Sequence, residues 1–165
     1  MTAKCLTGGM VRVLFVCLGN ICRSPMAEAI FLQMVREEGL QDQIEVDSAG
    51  TGSWHIGDVP HKGTLKVLKS NGVPVDSRAR QIRLDDLSAF DFVITMDERN
   101  SRDVLEFSRE APRAHVARLL DFVPDAAIKN VPDPYFTGDF DGVYTMVCEG
   151  CALLLDHVRP LTSAS

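Results

Sequence analysis

Four apolar runs divide the chain into alternating segments. The runs are short, and most are rich in β-branched side chains, which is typical of buried strands. We therefore predict four β-strands, at Val11–Val16, Ile44–Ser48, Asp91–Met96 and Ala114–Leu119.

Longer amphipathic segments separate these runs and close the chain. Their apolar residues recur at helical spacing, and glycine or proline ends several of them. We predict helices at Pro25–Gly39, at Pro60–Gly72, from the capping residue Asp97 to about Phe107, and at Phe140–Val158. A segment rich in proline and aspartate, residues 123–141, precedes the last helix. This alternation predicts a three-layer α/β fold, in which helices flank a four-stranded parallel sheet and ligands bind beyond the carboxyl ends of its strands.

The loop after the first strand has the features of a phosphate-binding site. Cys17 stands at the end of the strand, and Arg23 follows after five intervening residues. Ser24 suits the N-cap of the next helix and Pro25 its first position, so the loop lies at a helix N-terminus, where amides and the helix dipole attract an anion. A Cys and an Arg at this spacing occur by chance in about one chain in three. The flanking strand and helix therefore carry the prediction of a phosphate loop after strand 1.

The residue types in this loop suit phosphoryl transfer. Cysteine attacks phosphorus as a thiolate, which helix N-termini and neighbouring cations stabilise, and Cys17 would have both. Arg23 offers a planar fork of donors for two phosphate oxygens. Gly19 and Asn20 suit a tight turn close to the ligand. Ser24 either caps the helix alone or also supplies a hydroxyl that stabilises the departing thiolate.

Thiolate chemistry also needs an acid for the leaving group and later a base for water. Asp133 is the candidate, because Pro132 and Pro134 stiffen the backbone on either side of it. Composition alone would favour a solvated turn aspartate at this position.

Trp54 and Tyr135 are candidates for the walls of a cleft around a phenyl ring, although a lone tryptophan is more often a core residue.

Composition limits the classes of function. The chain has 165 residues and 18.2 kDa, with 45% hydrophobic and 24% charged residues, so we predict a lead-in at residues 1–10 and a single domain at residues 11–160. A net charge of -6 and a pI near 5.1 disfavour nucleic-acid binding. No apolar stretch approaches the roughly 20 residues that span a bilayer, and no secretory cleavage pattern follows Met1. We therefore expect a cytoplasmic protein with no membrane partner.

The cysteines and histidines indicate neither a disulfide framework nor a metal site. The cysteines form an odd count without secreted-domain spacing, at Cys5, Cys17, Cys22, Cys148 and Cys151. Cys148 and Cys151 lie three apart in a predicted helix, where two half-buried core residues are favoured over a redox or zinc motif. The histidines show no paired ligand spacing. We expect no metal and no cofactor.

Several segments together resemble the low-molecular-weight protein tyrosine phosphatases. The first strand and its loop resemble the signature of that family, and the segment around Asp133 resembles its late acid loop; the matching segments are residues 13–25, 47–50, 79–81, 90–97 and 133–135. The resemblance implies hydrolysis of phosphotyrosine and small aryl phosphates through a phosphocysteine on Cys17. It also implies that Arg23 binds phosphate, that Asp133 acts as acid and then base, and that Ser24 eases departure of the thiolate.

The resemblance further implies roles for residues around the loop. The implied substrate contacts are Leu18, Gly19, Asn20, Ile21, Cys22, Trp54 and Tyr135. Asn20 would hold the shape of the loop with help from Ser48. Mammalian members are similar to one another in having a histidine where this chain has Ser77, so the support of Asn20 is altered here, and Ser77 is expected to belong to the loop support with Ser48. Cys22 would either form a protective disulfide with Cys17 on oxidation or serve only in packing.

The expected partners are phosphotyrosine proteins, with inorganic phosphate or another oxyanion in the site, and the chain is expected to be a monomer.

One alternative is an arsenate reductase of the same fold, which passes oxidation to two further cysteines on a mobile segment. The absence of cysteine between residues 23 and 147 argues against that enzyme. The other alternative is a non-catalytic phosphoprotein-binding module, which would not need both Cys17 and Asp133.

Overall fold

A computed structural model describes residues 10–162 of the chain. The predicted lead-in therefore lies, except for Met10, outside the described residues, as does Cys5. The strands are β1 (Val11–Cys17), β2 (Ile44–Gly50), β3 (Phe92–Thr95) and β4 (His115–Arg118). The helices are α1 (Arg23–Glu37), α2 (Lys62–Ser70), α3 (Asp86–Ala89), α4 (Glu98–Ser108), α5 (Pro134–Thr137) and α6 (Phe140–Val158). Short 3-10 turns follow β4 (Leu119–Phe122) and α6 (Arg159–Leu161).

The strands form one parallel sheet in the order β2-β1-β3-β4. The predicted fold class is confirmed, because the sheet has four parallel strands with helices on both faces. β1 pairs with a neighbour on each side, so its carboxyl end lies in the middle of the sheet edge. Cys17 is the last residue of β1 and stands opposite Gly50 of β2. The topology thus places Cys17 where parallel sheets bind their ligands.

Alternate residues of β1 enter two separate cores. Val13 and Phe15 pack in the larger core, together with apolar residues of α1, α2 and α6. Leu14 and Val16 pack in a smaller core on the opposite face, together with Leu87 of α3 and Val104 of α4. All four of these β1 side chains are 0% exposed. Burial on both faces explains why β1 is a continuous apolar run rather than an alternating one.

The start of the first helix differs from the prediction. α1 begins at Arg23, Cys22 occupies the N-cap position, and no side chain caps this end. The prediction that Ser24 is the N-cap is therefore wrong, because its hydroxyl bonds to other groups of the loop. Pro25 stands at the third helical position rather than the first, which the helix tolerates because amides of the first turn have no partner within the helix.

Two short helices were not predicted. α3 and α5 each contain four residues, too few to show a helical period of apolar positions. α5 lies inside the segment rich in proline and aspartate, with Asp133 at its N-cap and Pro134 at its first position. Asp133 is thus held at a helix start, which fixes the backbone of the predicted acid.

Candidate active site

The loop between β1 and α1 leaves a row of backbone amides without protein partners. The N–H groups of residues 18–22 donate no hydrogen bond to any of residues 10–162. Beneath the loop, a Cβ on Gly50 would lie 2.8 Å from the carbonyl oxygen of Leu18, so only glycine permits this approach. Consecutive free amides at a helix N-terminus are donors that suit an anion, so they indicate an anion site.

Asn20 holds the loop in shape through both ends of its side-chain amide. Its backbone is left-handed, with φ 59°, and its side chain is buried. The amide nitrogen donates to Ser24 Oγ at 2.7 Å and to Ser48 Oγ at 3.0 Å. The amide oxygen accepts from the backbone N–H of Arg80 at 3.0 Å. These bonds tie the loop to α1, to β2 and to the segment after α2, so the loop is rigid before any ligand arrives.

The sulfur of Cys17 lies within reach of two donors from one residue. Ser24 Oγ is 3.0 Å from Cys17 Sγ, and the Ser24 backbone N–H donates to the same sulfur at 3.4 Å. Since Ser24 Oγ already accepts a hydrogen bond from Asn20, its own hydrogen is available to the sulfur. Two donors aimed at one sulfur are placed to interact with negative charge on that atom. Ser24 thus meets the geometry of the second role considered for it.

Arg23 is a buried cation beneath the loop. Its Nη1 donates to Asp97 Oδ2 at 2.6 Å and to the carbonyl oxygen of Val131 at 2.9 Å, and its Nη2 reaches Asp133 Oδ2 at 3.4 Å. Burial lowers the pKa of the guanidinium, but the charges of Cys17, Asp133 and Asp97 outweigh burial and raise that pKa above its ordinary value. Its Nε is buried without a partner in the described part of the chain. Arg23 therefore stays charged and keeps one donor for a ligand.

Asp133 faces Cys17 across one cavity of about 220 Å³. The chain fold joins these residues although they are far apart in sequence. Asp133 Oδ1 accepts the backbone N–H of Tyr135 at 3.0 Å, while Oδ2 is the atom directed at Arg23. The residues that line the cavity are Cys17, Leu18, Gly19, Ile21, Cys22, Trp54, His55, Asp133, Tyr135 and Phe136. Asn20 is absent from this lining, because its side chain lies beneath the loop.

The rim of the cavity is aromatic and exposed. Trp54 is 71% exposed, Tyr135 54% and Phe136 76%. The structure thus brings both predicted wall residues to the cavity and places Trp54 outside the core. Phe136 and His55, which were not predicted as site residues, also line this cavity. Phe136 directly follows Tyr135, and His55 directly follows Trp54. Their positions next to predicted wall residues could have identified them.

Asp97 is a further site residue that the sequence analysis used only as a helix cap. Its Oδ1 accepts the backbone N–H of Asn100 at the start of α4, while its Oδ2 accepts from Arg23. Asp97 follows β3 closely, and β3 is the neighbour of β1. The carboxyl ends of adjacent parallel strands meet at one edge of the sheet. The position of Asp97 just after β3, next to the strand that ends at Cys17, was therefore the signal that could have identified it.

Comparisons with known proteins agree with this geometry. The profile of the family described as "Low molecular weight phosphotyrosine protein phosphatase" matches residues 12–162. The low molecular weight protein-tyrosine-phosphatase YfkJ of Bacillus subtilis is 46% identical over 151 residues, which are 91% of this chain and 97% of that protein. The chain belongs to the low-molecular-weight protein tyrosine phosphatase family. None of its helices within residues 10–162 is long and apolar enough to cross a bilayer.

Solved structures of family members share the fold of this chain. The crystal structure of YfkJ superposes with a TM-score of 0.90, covering 92% of this chain and 96% of that one. The crystal structure of the Drosophila arginine phosphatase DARP is 34% identical, with a TM-score of 0.84, and covers 89% of this chain and 97% of that one. The second structure shows that a protein described as an arginine phosphatase has the same fold, so the fold alone does not determine which phosphorylated residue is the substrate.

Ser77 forms none of the side-chain hydrogen bonds that hold Asn20. The side-chain hydrogen bonds of Asn20 within the described chain go to Ser24, Ser48 and Arg80, and none goes to Ser77. Ser77 lines a different cavity of about 200 Å³, together with Glu28. The predicted loop-support role of Ser77 is therefore not seen in the structure.

Glu28, which lines the same cavity as Ser77, contacts Ser48, one of the residues that hold Asn20. Ser48 Oγ donates to Glu28 Oε1 at 2.5 Å, so Glu28 bonds to the same hydroxyl that accepts from Asn20. The pKa of Glu28 is raised to about 7, chiefly by burial; the hydrogen bond from Ser48 opposes this rise, and the charge of Asp47 adds to it. A carboxyl group that titrates near neutral pH thus ends the hydrogen-bond chain that begins at Cys17.

Cys22 is a buried thiol close to Cys17. Burial is the main cause that raises the pKa of Cys22 to about 12, and the charges of Cys17 and Asp133 add to it. The four cysteines of the described chain, Cys17, Cys22, Cys148 and Cys151, are free. Because its pKa is raised, Cys22 is a thiol at neutral pH, and a thiol is a poor nucleophile. No cluster of three or more potential metal ligands occurs within residues 10–162.

Proposed function

We propose that this chain hydrolyses phosphotyrosine in proteins, and small aryl phosphates, through a phosphocysteine on Cys17. The observation that carries the proposal is that Cys17, the loop after it and Asp133 line one cavity, while the Arg23 guanidinium lies 3.4 Å from Asp133 and the amides of residues 18–22 are free. An anion cradle alone would suit a binding module. A cradle that also contains a sulfur with two donors and a carboxyl group opposite suits transfer of the phosphoryl group.

In the first step, the amides of residues 18–22 and the Arg23 guanidinium hold the phosphate oxygens. Cys17 Sγ attacks phosphorus, so an S–P bond forms while the bond from phosphorus to the ester oxygen breaks. Protonated Asp133 gives its proton to the departing phenoxide. Charge on the equatorial oxygens is met by donors that are already in place, which is the main requirement of phosphoryl transfer.

In the second step, Asp133 acts as a base. It takes a proton from water as the water oxygen attacks phosphorus, and the S–P bond breaks. The thiolate that leaves is met by the hydroxyl and backbone N–H of Ser24, which lie 3.0 Å and 3.4 Å from Cys17 Sγ. Inorganic phosphate is released, and both Cys17 and Asp133 return to their starting forms.

The aromatic rim supports phosphotyrosine as the substrate class. Trp54 and Tyr135 stand at the mouth of the cavity, where they would flank a phenyl ring between the phosphate and the protein surface. A phosphoserine ester is shorter and has no ring to contact these walls. We further propose that the chain acts in the cytoplasm, since its described cysteines are free thiols, as expected in a reducing compartment.

The test is hydrolysis of p-nitrophenyl phosphate and of peptides bearing phosphotyrosine, phosphoserine or phosphoarginine, without added metal. The native chain should hydrolyse the two aryl phosphates and act poorly on the other two. C17S should abolish turnover, and D133A should lower kcat for the peptide by about 10²- to 10³-fold. Matched controls are C148S and D125A, which change a half-buried thiol and an exposed carboxylate outside the cavity.

Each outcome of this assay addresses one part of the proposal. Full activity in C17S would refute the phosphocysteine mechanism. Undiminished turnover in D133A would refute only the acid assignment. Faster release of phosphate from phosphoarginine than from phosphotyrosine would refute the substrate class while leaving the nucleophile in place.

A further inference from the structure

Trp54 lines two cavities rather than one. The first is the cavity that contains Cys17, and the second lies between the segment after β2 and helix α4. The second cavity has a volume of about 200 Å³, similar to the first. Both cavities share Leu18 as well as Trp54, so they are adjacent along the protein surface. The side chains that matter in the second cavity are Leu18, Trp54, Ile82, Arg99, Asp103 and Phe107.

The position of the shared wall is fixed by Gly52. A Cβ on Gly52 would lie 1.9 Å from Cζ3 of the Trp54 ring, so the indole rests directly against the Gly52 backbone. No residue with a side chain could occupy position 52 without moving the ring. Trp54 is nevertheless 71% exposed, so most of its surface remains open to a ligand. The indole therefore stands as a partition whose surfaces serve both cavities.

The second cavity has the size and lining of a site for one side chain. Pockets for drug-sized ligands have volumes of about 300–1,000 Å³, so a cavity of about 200 Å³ suits a smaller group. Its apolar residues are Leu18, Trp54, Ile82 and Phe107, and Phe107 is 40% exposed although it is a large apolar residue. Exposed aromatic surface beside a substrate cavity is typical of a binding site.

The charged residues of this cavity balance each other. Arg99 and Asp103 lie four residues apart on α4, and neither forms an ion pair within residues 10–162. One cation and one anion give the cavity no net charge with which to select an acidic or a basic group. Their donors and acceptor instead suit the N–H and C=O groups of a peptide backbone, which leaves the apolar walls to select the side chain.

We propose that the second cavity is a subsite that takes an apolar side chain of the substrate polypeptide, close in sequence to the phosphotyrosine. This inference rests on the proposed function, because the first cavity must hold the phosphotyrosine. An extended chain advances about 3.3 Å per residue, so a residue two or three positions away lies roughly 7–10 Å along the chain, enough to pass one aromatic ring. The substrate would cross Trp54 with one side chain in each cavity.

The test compares phosphotyrosine peptides that carry leucine, alanine or aspartate at each of the positions from three before to three after the phosphotyrosine. At one position, leucine should raise kcat/KM about tenfold over aspartate. F107A should lose most of this preference, F107L should retain it, and L105A, an exposed apolar residue on the same helix outside the cavity, should leave it unchanged. Each kcat/KM is divided by that for p-nitrophenyl phosphate, which has no flanking residues.

Every result decides between the subsite and its alternatives. An equal leucine preference in F107A and in the native chain would overturn the subsite, as would equal rates for all peptides. A preference for aspartate that R99A abolishes and R102A keeps would overturn the apolar assignment. If folded native chain hydrolysed neither p-nitrophenyl phosphate nor any peptide, the proposed function would fail and the subsite with it. Activity on p-nitrophenyl phosphate without peptide preference would refute the subsite alone.

Discussion

The floor and the rim of the cavity are built in opposite ways. On the floor, Asn20, Arg23 and Ser24 are at most 3% exposed, and each is held by hydrogen bonds from separate elements of the fold. On the rim, Tyr135 and Phe136 are 54% and 76% exposed, and their main mutual contact is a T-shaped ring pair 5.2 Å apart. The floor is therefore pre-organised, whereas the rim is open to change.

This contrast separates the two tasks of the site. Every phosphate monoester presents the same anionic group, so donors can be fixed in advance around it, and that fixation is what lowers the barrier of phosphoryl transfer. The groups beyond the phosphate differ between substrates and meet only the rim. Changes on the floor should therefore lower the rate for all substrates alike, and changes on the rim should alter the ranking of substrates.

The largest effect should come from R23K on the floor. Lysine keeps the charge but loses the planar fork and the buried Nε donor. We expect kcat/KM to fall by about 10³-fold, equivalent to about 4 kcal/mol, for phosphotyrosine peptide and p-nitrophenyl phosphate alike. R36K, an exposed arginine later in α1, is the matched control. A loss confined to one of the two substrates would show that the floor also selects substrates.

The next effect concerns Glu28, which lies behind the floor. Burial raises its pKa from 4.5 to about 7, so the fold favours the protonated form. Its contribution to stability is complete below about pH 4 and is lost as the pH rises through about 7. E28Q cannot ionise, so it does not lose this stability as the pH rises. The free energy of unfolding of E28Q minus that of the native chain should therefore increase by up to about 3 kcal/mol from pH 5 to pH 8.

Urea unfolding at the two pH values measures this gain. E37Q changes an exposed carboxylate on the same helix and should show no comparable gain. If E28Q and the native chain differed in stability by the same amount at both pH values, the carboxyl group of Glu28 would not titrate in the range that its burial implies.

The smallest effect should come from W54A on the rim. Loss of the indole removes one wall of the cavity but touches no group that binds phosphate. We expect kcat/KM for phosphotyrosine peptide to fall about tenfold, while that for a small alkyl phosphate stays within about twofold. I128A, another exposed apolar residue remote from the cavity, serves as control. An equal loss for both esters would mean that Trp54 stabilises the floor and does not belong to the rim alone.

The fold could be predicted from the sequence because strands and helices are indicated by patterns within short stretches of the chain. The apolar run of β1 and the cysteine at its end predicted both a central strand and the position of the loop. The helix start was misplaced because Ser24, a good N-cap by type, bonds to Cys17 and Asn20 instead. Residue type shows which bonds a side chain can form, but the choice among partners depends on the packed structure.

The site was less accessible where its contacts are distant in sequence. Asp133 reaches Arg23 across 110 positions, and spacing gives no sign of such a contact. Ser77 was linked to the loop by resemblance. The residue that bonds to Ser48 in the structure is instead Glu28, which lies in α1, the helix that follows the loop. Asp97 was identified as a cap, but its second oxygen holds Arg23. Side chains with two roles show only the local one in sequence.

The central claim is that Cys17 carries the phosphoryl group, and trapping that group tests it most directly. The D133A chain is mixed with p-nitrophenyl phosphate, quenched in acid within the first turnover, digested and mapped by peptide mass spectrometry. We predict one added phosphoryl group on the peptide that contains Cys17, and none on that peptide in C17S. A phosphoryl group on another residue, or rapid turnover with no phosphorylated peptide at any quench time, would contradict the account.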